Sequence, residues 1–147
     1  MIPEFDETGN LPPGLHKATW QEIAQKYGYT GHRKKMLEGL KRALDNLKQA
    51  GCNRAYLDGS FITRKRKPGD FDLCWQIDGV NGELLDPILR DRKYLLPPRE
   101  KQKKHYFGDI LPTRKHPPEW DLLTFFQLDK HTNKQKGIIV ITMELLP

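Results

Sequence analysis

The chain has 147 residues, 37% of them hydrophobic and 30% charged, and its 25 Lys and Arg against 19 Asp and Glu give a net charge of +6. This length fits one domain, so we expect residues 1–147 to share one hydrophobic core, with an extended N-terminal arm over about residues 1–17. The sequence has no apolar run near the roughly 20 residues of a membrane-spanning helix and opens without a signal peptide, which predicts a cytoplasmic protein without a membrane partner.

Helical patterns dominate the first part of the chain. The run Thr19-Trp20-Gln21-Glu22 has the spacing of a capping box, which predicts a short helix ending at Gly28. Apolar residues then recur at three- and four-residue steps over residues 31–50, which predicts a long amphipathic helix. A further short helix is predicted over residues 88–94, because the preceding Asp-Pro pair suits a helix N-terminus.

Strands are predicted mainly in the middle and at the end of the chain, where aromatic and β-branched residues alternate with turn signals. The predicted strands cover residues 55–57, 71–77, 105–107, 122–128 and 137–143. The last two are joined by a polar turn as in a hairpin, and residues 99–104 form a basic loop. Helices and strands are therefore mixed, and we predict an α/β (α+β) protein.

Two acidic residues and a glycine–serine turn carry the chemical signal. If Asp70 and Asp72 lie at the start of a strand, alternation places both carboxylates on one face and Phe71 on the other. Paired carboxylates suit a hard cation such as Mg²⁺, which also takes phosphate oxygens as ligands. The Gly59-Ser60 turn offers backbone amides and a hydroxyl to a phosphate. On its own the acidic pair could equally serve turn chemistry. The glycine–serine turn before it favours a phosphate and metal site.

This spacing resembles a known family. Gly59-Ser60, nine intervening residues and then Asp70-Phe71-Asp72 are similar to the Gly-Ser…Asp-x-Asp signature of the polymerase-beta-like nucleotidyltransferase superfamily, in particular its minimal bacterial members. The resemblance implies a small mixed, largely antiparallel sheet backed by helices. It also implies that the glycine and serine hold the triphosphate of ATP or another nucleoside triphosphate, and that both aspartates bind Mg²⁺, or Mn²⁺ in its place.

The resemblance also implies a third carboxylate from a later strand, for which Asp121 is our candidate and Glu119 the substitute. This residue would complete the metal site and orient the acceptor hydroxyl. In the cationic loop between the two motifs, Arg64, Lys65 and Arg66 are predicted to contact phosphates, because arginine forks and lysine ammonium groups suit phosphate oxygens. The alternative is a solvated loop.

Minimal members of the superfamily are often encoded in toxin–antitoxin or phage-defence pairs, and the chain resembles short bacterial proteins of this type. The implied function is metal-dependent nucleotidyl transfer to a protein or RNA acceptor, such as the product of a neighbouring gene. One alternative is a catalytically weak antitoxin or adaptor with the same fold, which binds a partner protein or RNA through its basic loops. A plain nucleic-acid-binding module is another. The sequence leaves the nucleotide, the acceptor and the oligomeric state open.

Overall fold

The computed structural model describes residues 1–114, 127 and 135–147. These residues contain five α-helices and five strands, so the predicted α/β class is confirmed. In chain order the elements are β1 (Gly14–Lys17), α1 (Trp20–Tyr27), α2 (Gly31–Gln49), β2 (Arg54–Asp58), β3 (Phe71–Gln76), α3 (Pro87–Arg90), α4 (Arg92–Leu95), α5 (Glu100–Tyr106), β4 (Gly108–Thr113) and β5 (Gly137–Thr142).

The five strands form one mixed sheet in the order β1-β5-β2-β3-β4. Strand β2 pairs antiparallel with both β3 and β5, whereas β1 pairs parallel with β5 and β3 pairs parallel with β4. The expectation of a largely antiparallel sheet was therefore wrong. Parallel neighbours need a crossover connection, and the segment containing α3, α4 and α5 supplies one between β3 and β4.

The two faces of the sheet differ in character. One face packs against the helices, and its buried side chains include Leu57, Leu73 and Ile139 from three neighbouring strands. The other face carries a smaller buried cluster of Tyr56, Cys74, Ile138 and Val140. Because side chains alternate along a strand, residues two positions from Tyr56 and Cys74 share this second face.

The predictions of helices α1 and α2 are confirmed, as is the capping box at the start of α1. In α1 the Thr19 hydroxyl accepts from the Glu22 amide, while the Glu22 carboxylate accepts from the Thr19 amide. Helix α2 ends at Gln49 and buries the predicted apolar stripe, which includes Met36, Leu40, Leu44 and Leu47. The N-terminal arm also contributes to the sheet through β1, which was not predicted as a strand.

The predictions for residues 88–107 were wrong in part. The predicted helix is interrupted at Asp91 into α3 and α4. The predicted basic loop and the strand after it together form α5, which ends at Tyr106. The next residue, Phe107, caps the helix with a φ of 70°. Gln102 and Tyr106 are buried at helical spacing, so this segment faces the core with one side only.

The part of the chain that the structure describes has no helix long and apolar enough to cross a membrane. Of the predicted strand over residues 122–128, only residue 127 is among the described residues. Glu119 and Asp121 lie outside them. The second strand of the predicted hairpin corresponds to β5.

Candidate functional site

A row of carboxylates crosses three adjacent strands at one end of the sheet. Asp58 at the end of β2 is the register partner of Asp72 in β3, and Asp72 is the register partner of Asp109 in β4. Residues in register on neighbouring strands point to the same face, so these three side chains share the face opposite the helices. Asp70 immediately precedes β3, two positions before Asp72.

The bend after β2 brings the glycine–serine turn against this row. Gly59 has a φ of +91°, a conformation that glycine adopts without strain. A Cβ at Gly59 would lie 2.7 Å from Oδ2 of Asp72, so the backbone at this position touches the carboxylate. Ser60 then begins a single 3-10 turn, and its carbonyl accepts a hydrogen bond from the Thr63 hydroxyl at 2.6 Å.

Asp72 and Asp109 of this row line one cleft of about 510 Å³ together with Asp70 and the bend. Its walls are formed by Asn10, Gly59, Ser60, Thr63, Lys65, Gly69, Asp70, Asp72, Asp109 and Lys136. Burial raises the pKa of Asp70, and this rise is opposed by the positive charge of Lys103 and reinforced by the negative charge of Asp109. The Asp70 carboxylate therefore interacts electrostatically with both Lys103 and Asp109.

Three residues of the α1–α2 region hold the loop that follows the bend by hydrogen bonds to its carbonyls. The buried Arg33 guanidinium donates hydrogen bonds to the carbonyls of Phe61, Thr63 and Lys65, at 2.6 Å and 2.8 Å for the first two. The Tyr29 hydroxyl donates to the carbonyl of Lys65 at 3.3 Å, and a His32 ring nitrogen lies 2.6 Å from the carbonyl of Pro68. The cleft-lining loop is thus held through its backbone carbonyls. Its amides at Thr63, Arg64 and Lys65 are hydrogen-bonded within the protein as well.

The three cations predicted to contact phosphates occupy different places. Lys65 lines the cleft. Arg64 instead packs along Gly9 of the N-terminal arm, and its guanidinium donates to the carbonyl of Glu7 at 2.9 Å. Arg66 is exposed outside the lining of the cleft. Among the predicted cations, only Lys65 is therefore positioned for a phosphate in this cleft.

Asp109 is the main residue of the cleft that sequence reasoning missed. Its carboxylate lies 3.6 Å from a guanidinium nitrogen of Arg99 and 3.8 Å from Nζ of Lys103. The sequence did contain a signal, because Asp109 is followed by Ile110-Leu111 much as Asp72 is followed by Leu-Cys. The predicted third carboxylate, Asp121, lies outside the described residues and stays a prediction.

Two further charged residues border the cleft. The Lys136 ammonium lies 3.1 Å from Oδ1 of Asp58, whose side chain is only 6% exposed. This ion pair neutralises the buried Asp58 carboxylate, and it brings Lys136, the residue before β5, to the cleft.

Asp70 and Asp72 are the residues of the cleft that could hold Mg²⁺. Both line the cleft and carry the carboxylate oxygens that a hard cation takes as ligands. Within residues 1–114, 127 and 135–147, no three His, Cys, Asp or Glu side chains form a group that could hold a metal ion on its own. Mg²⁺ commonly binds through one or two carboxylates and takes its other ligands from substrate phosphates and water.

Comparison with known proteins gave one match. The sequence model of a family described as a family of unknown function (DUF6932) matches residues 3–142. No curated protein and no solved structure matches the chain.

Proposed function

Since the chain belongs to this family of unknown function, its activity has to be inferred from the cleft, and we propose that it is a Mg²⁺-dependent nucleotidyltransferase. A fold of the nucleotidyltransferase type, suggested by the Gly-Ser…Asp-x-Asp resemblance, is part of this proposal. The observation that carries it is the meeting of Asp70 and Asp72 with the Gly59-Ser60 bend in one cleft.

Six residues of the cleft have a role in this proposal. The bend at Gly59 and Ser60 cradles the triphosphate through backbone amides and the serine hydroxyl, and Lys65 offsets the charge of its oxygens. Asp70 and Asp72 hold Mg²⁺, which when bound neutralises phosphate charge and aligns the triphosphate for in-line displacement. Asp109 takes the role predicted for the third carboxylate, for which Asp121 stays the other candidate. It orients the acceptor hydroxyl and takes its proton.

The reaction balances without any further reactant. The acceptor oxygen forms a bond to the α-phosphorus of the nucleoside triphosphate, and the bond between the α-phosphorus and the bridging oxygen breaks. Pyrophosphate leaves with that electron pair, and the acceptor proton passes to the Asp109 carboxylate and then to solvent. The products are a nucleotidylated acceptor and pyrophosphate.

The direct test is transfer of label from nucleoside triphosphates that are radiolabelled at the α-phosphate. Each triphosphate is incubated with the protein, Mg²⁺ and either cellular RNA or cellular protein as acceptor. We expect labelled acceptor with the wild type. The Asp70→Asn and Asp72→Asn variants should be slower by on the order of a thousandfold, since losing metal ligation removes several kcal/mol of transition-state stabilisation.

A charge-matched control separates site chemistry from general effects. Asp45 lies on the exposed side of α2, where it pairs with Lys41, so Asp45→Asn removes the same charge far from the cleft. We expect this variant to transfer label at the wild-type rate. Absence of transfer with all four triphosphates, or equal rates in the Asp72→Asn and wild-type proteins, would contradict the proposal.

A further inference from the structure

The surface next to the cleft concentrates most of the net positive charge of the chain. Residues 90–105 contain seven Lys or Arg and two acidic residues, an excess of five where the whole chain has a net charge of +6. One of the two acidic residues, Asp91, is paired with Arg90. The other, Glu100, is exposed. Such a local excess attracts polyanions.

This surface is continuous with the cleft. Arg99 contacts Asp109 of the cleft with its guanidinium, and it also lines a separate hollow of about 280 Å³. Lys103, one helical turn further along α5, contacts the same carboxylate. Lys101 and Lys104 are exposed on the same helix. A chain of cations therefore leads from Asp109 onto the outer side of α5.

Aromatic and apolar groups lie between these cations. The hollow next to Arg99 is lined by Lys93, Tyr94, Leu96, Pro97, Pro98 and Lys101, among others. Tyr94 is half-buried with the Lys93 ammonium 5.1 Å from its ring centre, and Leu96 is 51% exposed. Cations interleaved with aromatic or apolar side chains suit a single-stranded nucleic acid, because its phosphates contact the cations while its bases stack on the aromatic rings.

We propose that residues 93–104 bind a single-stranded polynucleotide and that this strand is the acceptor of the nucleotidyl group. This inference rests on the proposed transferase function, because it identifies the acceptor for that same cleft. In this proposal the phosphates of the strand contact Lys101, Lys103 and Lys104. Its bases contact Tyr94 and the loop at residues 97–98, and its terminal hydroxyl reaches Asp109. An acidic protein would bind to the positive charges, but it has no bases to stack on Tyr94 in the hollow beside them.

Binding is measured without turnover, by fluorescence anisotropy of labelled single strands of about 20 nucleotides, as RNA and as DNA. We expect wild-type binding that weakens strongly between about 50 mM and about 200 mM salt. The Lys101→Ala/Lys104→Ala variant should bind roughly tenfold more weakly at the lower salt, with a salt slope smaller by about 1.4. Tyr94→Leu should weaken binding by about fivefold with an unchanged slope, since stacking is not ionic.

The matched control is Lys17→Ala/Lys48→Ala, which removes two exposed lysines on β1 and near the end of α2. Strand β1 forms the sheet edge opposite β4, so we expect this variant to bind like the wild type. Binding of RNA or DNA with this pattern supports the proposal, and the tighter of the two identifies the strand. Equal losses in the two double variants, or wild-type protein that binds neither strand, would overturn it.

The same variants separate this inference from the transferase proposal. Asp70→Asn/Asp72→Asn should bind the strand normally and fail to label it. If the wild type binds the strand through Lys101 and Lys104 but no triphosphate gives transfer, the binding surface stands and the transferase proposal fails. If label goes to a protein while no strand binds, the transferase stands and the polynucleotide acceptor is wrong.

Discussion

Arg33 is a buried cation whose partners are carbonyls. Its side chain is fully buried, and its guanidinium donates to the carbonyls of Tyr27, Phe61, Thr63 and Lys65. Burial lowers the pKa of this group, and the carbonyl dipoles compensate the charge that remains. The planar guanidinium can donate to several carbonyl oxygens at once, so Arg33 fixes the backbone of the loop that lines the cleft.

Replacing Arg33 with Met should lower the free energy of unfolding by about 3 kcal/mol, because several loop carbonyls lose their donors. Arg33→Lys should recover little of this loss, since one ammonium cannot span the same acceptors. The neighbouring exposed Lys34 provides the control, and Lys34→Met should stay within about 0.5 kcal/mol of the wild type. Urea denaturation measures all three variants. Similar stabilities of Arg33→Met and Lys34→Met would refute this role of Arg33.

At the scale of elements, α2 and α5 approach each other through a glycine. A Cβ at Gly39 would lie 2.3 Å from the carbonyl oxygen of Tyr106 and 2.6 Å from Cδ2 of Phe107. Because the first of these atoms belongs to the backbone, it cannot move without shifting α5. The close approach also places Arg99 and Lys103 of the α5 segment beside Asp109.

Gly39→Ala should therefore destabilise the protein by about 2 kcal/mol, although alanine favours a helix over glycine by about 1 kcal/mol. The melting temperature should fall by about 4–8 °C. Gly31→Ala in the same helix is the control, since nothing lies within 4 Å of a Cβ there. We expect its melting temperature to stay the same or rise. A Gly39→Ala protein that melts as high as Gly31→Ala would show that the two helices can separate at no cost.

Helix α5 also explains where sequence reasoning failed. The periodic leucines of α2 and the capping box of α1 predict those helices because each signal is local. Helix α5 buries only Gln102 and Tyr106, so its sequence has no apolar stripe. The Gln102 side chain instead bonds to both the amide and the carbonyl of Ile110 at 2.8 Å, as a neighbouring strand would. This contact depends on tertiary structure and leaves no pattern in the sequence.

The same distinction holds for the cleft. Gly59 and Ser60 follow β2, and Asp70 and Asp72 lie at the start of the next strand, β3, so their spacing predicts that they meet. Asp109 comes from β4, after a crossover of three helices, and only the parallel pairing of β3 with β4 brings it level with Asp72. The apolar residues after Asp109 indicate a strand start, but only the sheet order places this aspartate beside Asp72.

At the scale of the whole molecule, the cleft joins segments that are distant along the chain, from Asn10 to Lys136. Because the pKa of Asp70 is raised, the folded protein holds this proton more tightly than the unfolded chain does. Ionising Asp70 therefore costs stability as the pH rises through its folded pKa. If the proposed Mg²⁺ binds the ionised cleft of the folded state, it removes this cost.

We therefore expect Mg²⁺ with a nucleoside triphosphate to stabilise the whole protein against heat. At a ligand concentration of about 100 times the dissociation constant the gain is about 2.7 kcal/mol, or roughly 5–10 °C in melting temperature for a chain of this size. Differential scanning fluorimetry with Mg²⁺ and each triphosphate in turn, and with Mn²⁺ alone, measures the shift. The gain should be smaller at about pH 5 than at about pH 7.5, because protons compete with metal for Asp70. Asp70→Asn/Asp72→Asn should lose the shift while Asp45→Asn keeps it. An equal shift in both variants would place the cation elsewhere on the protein.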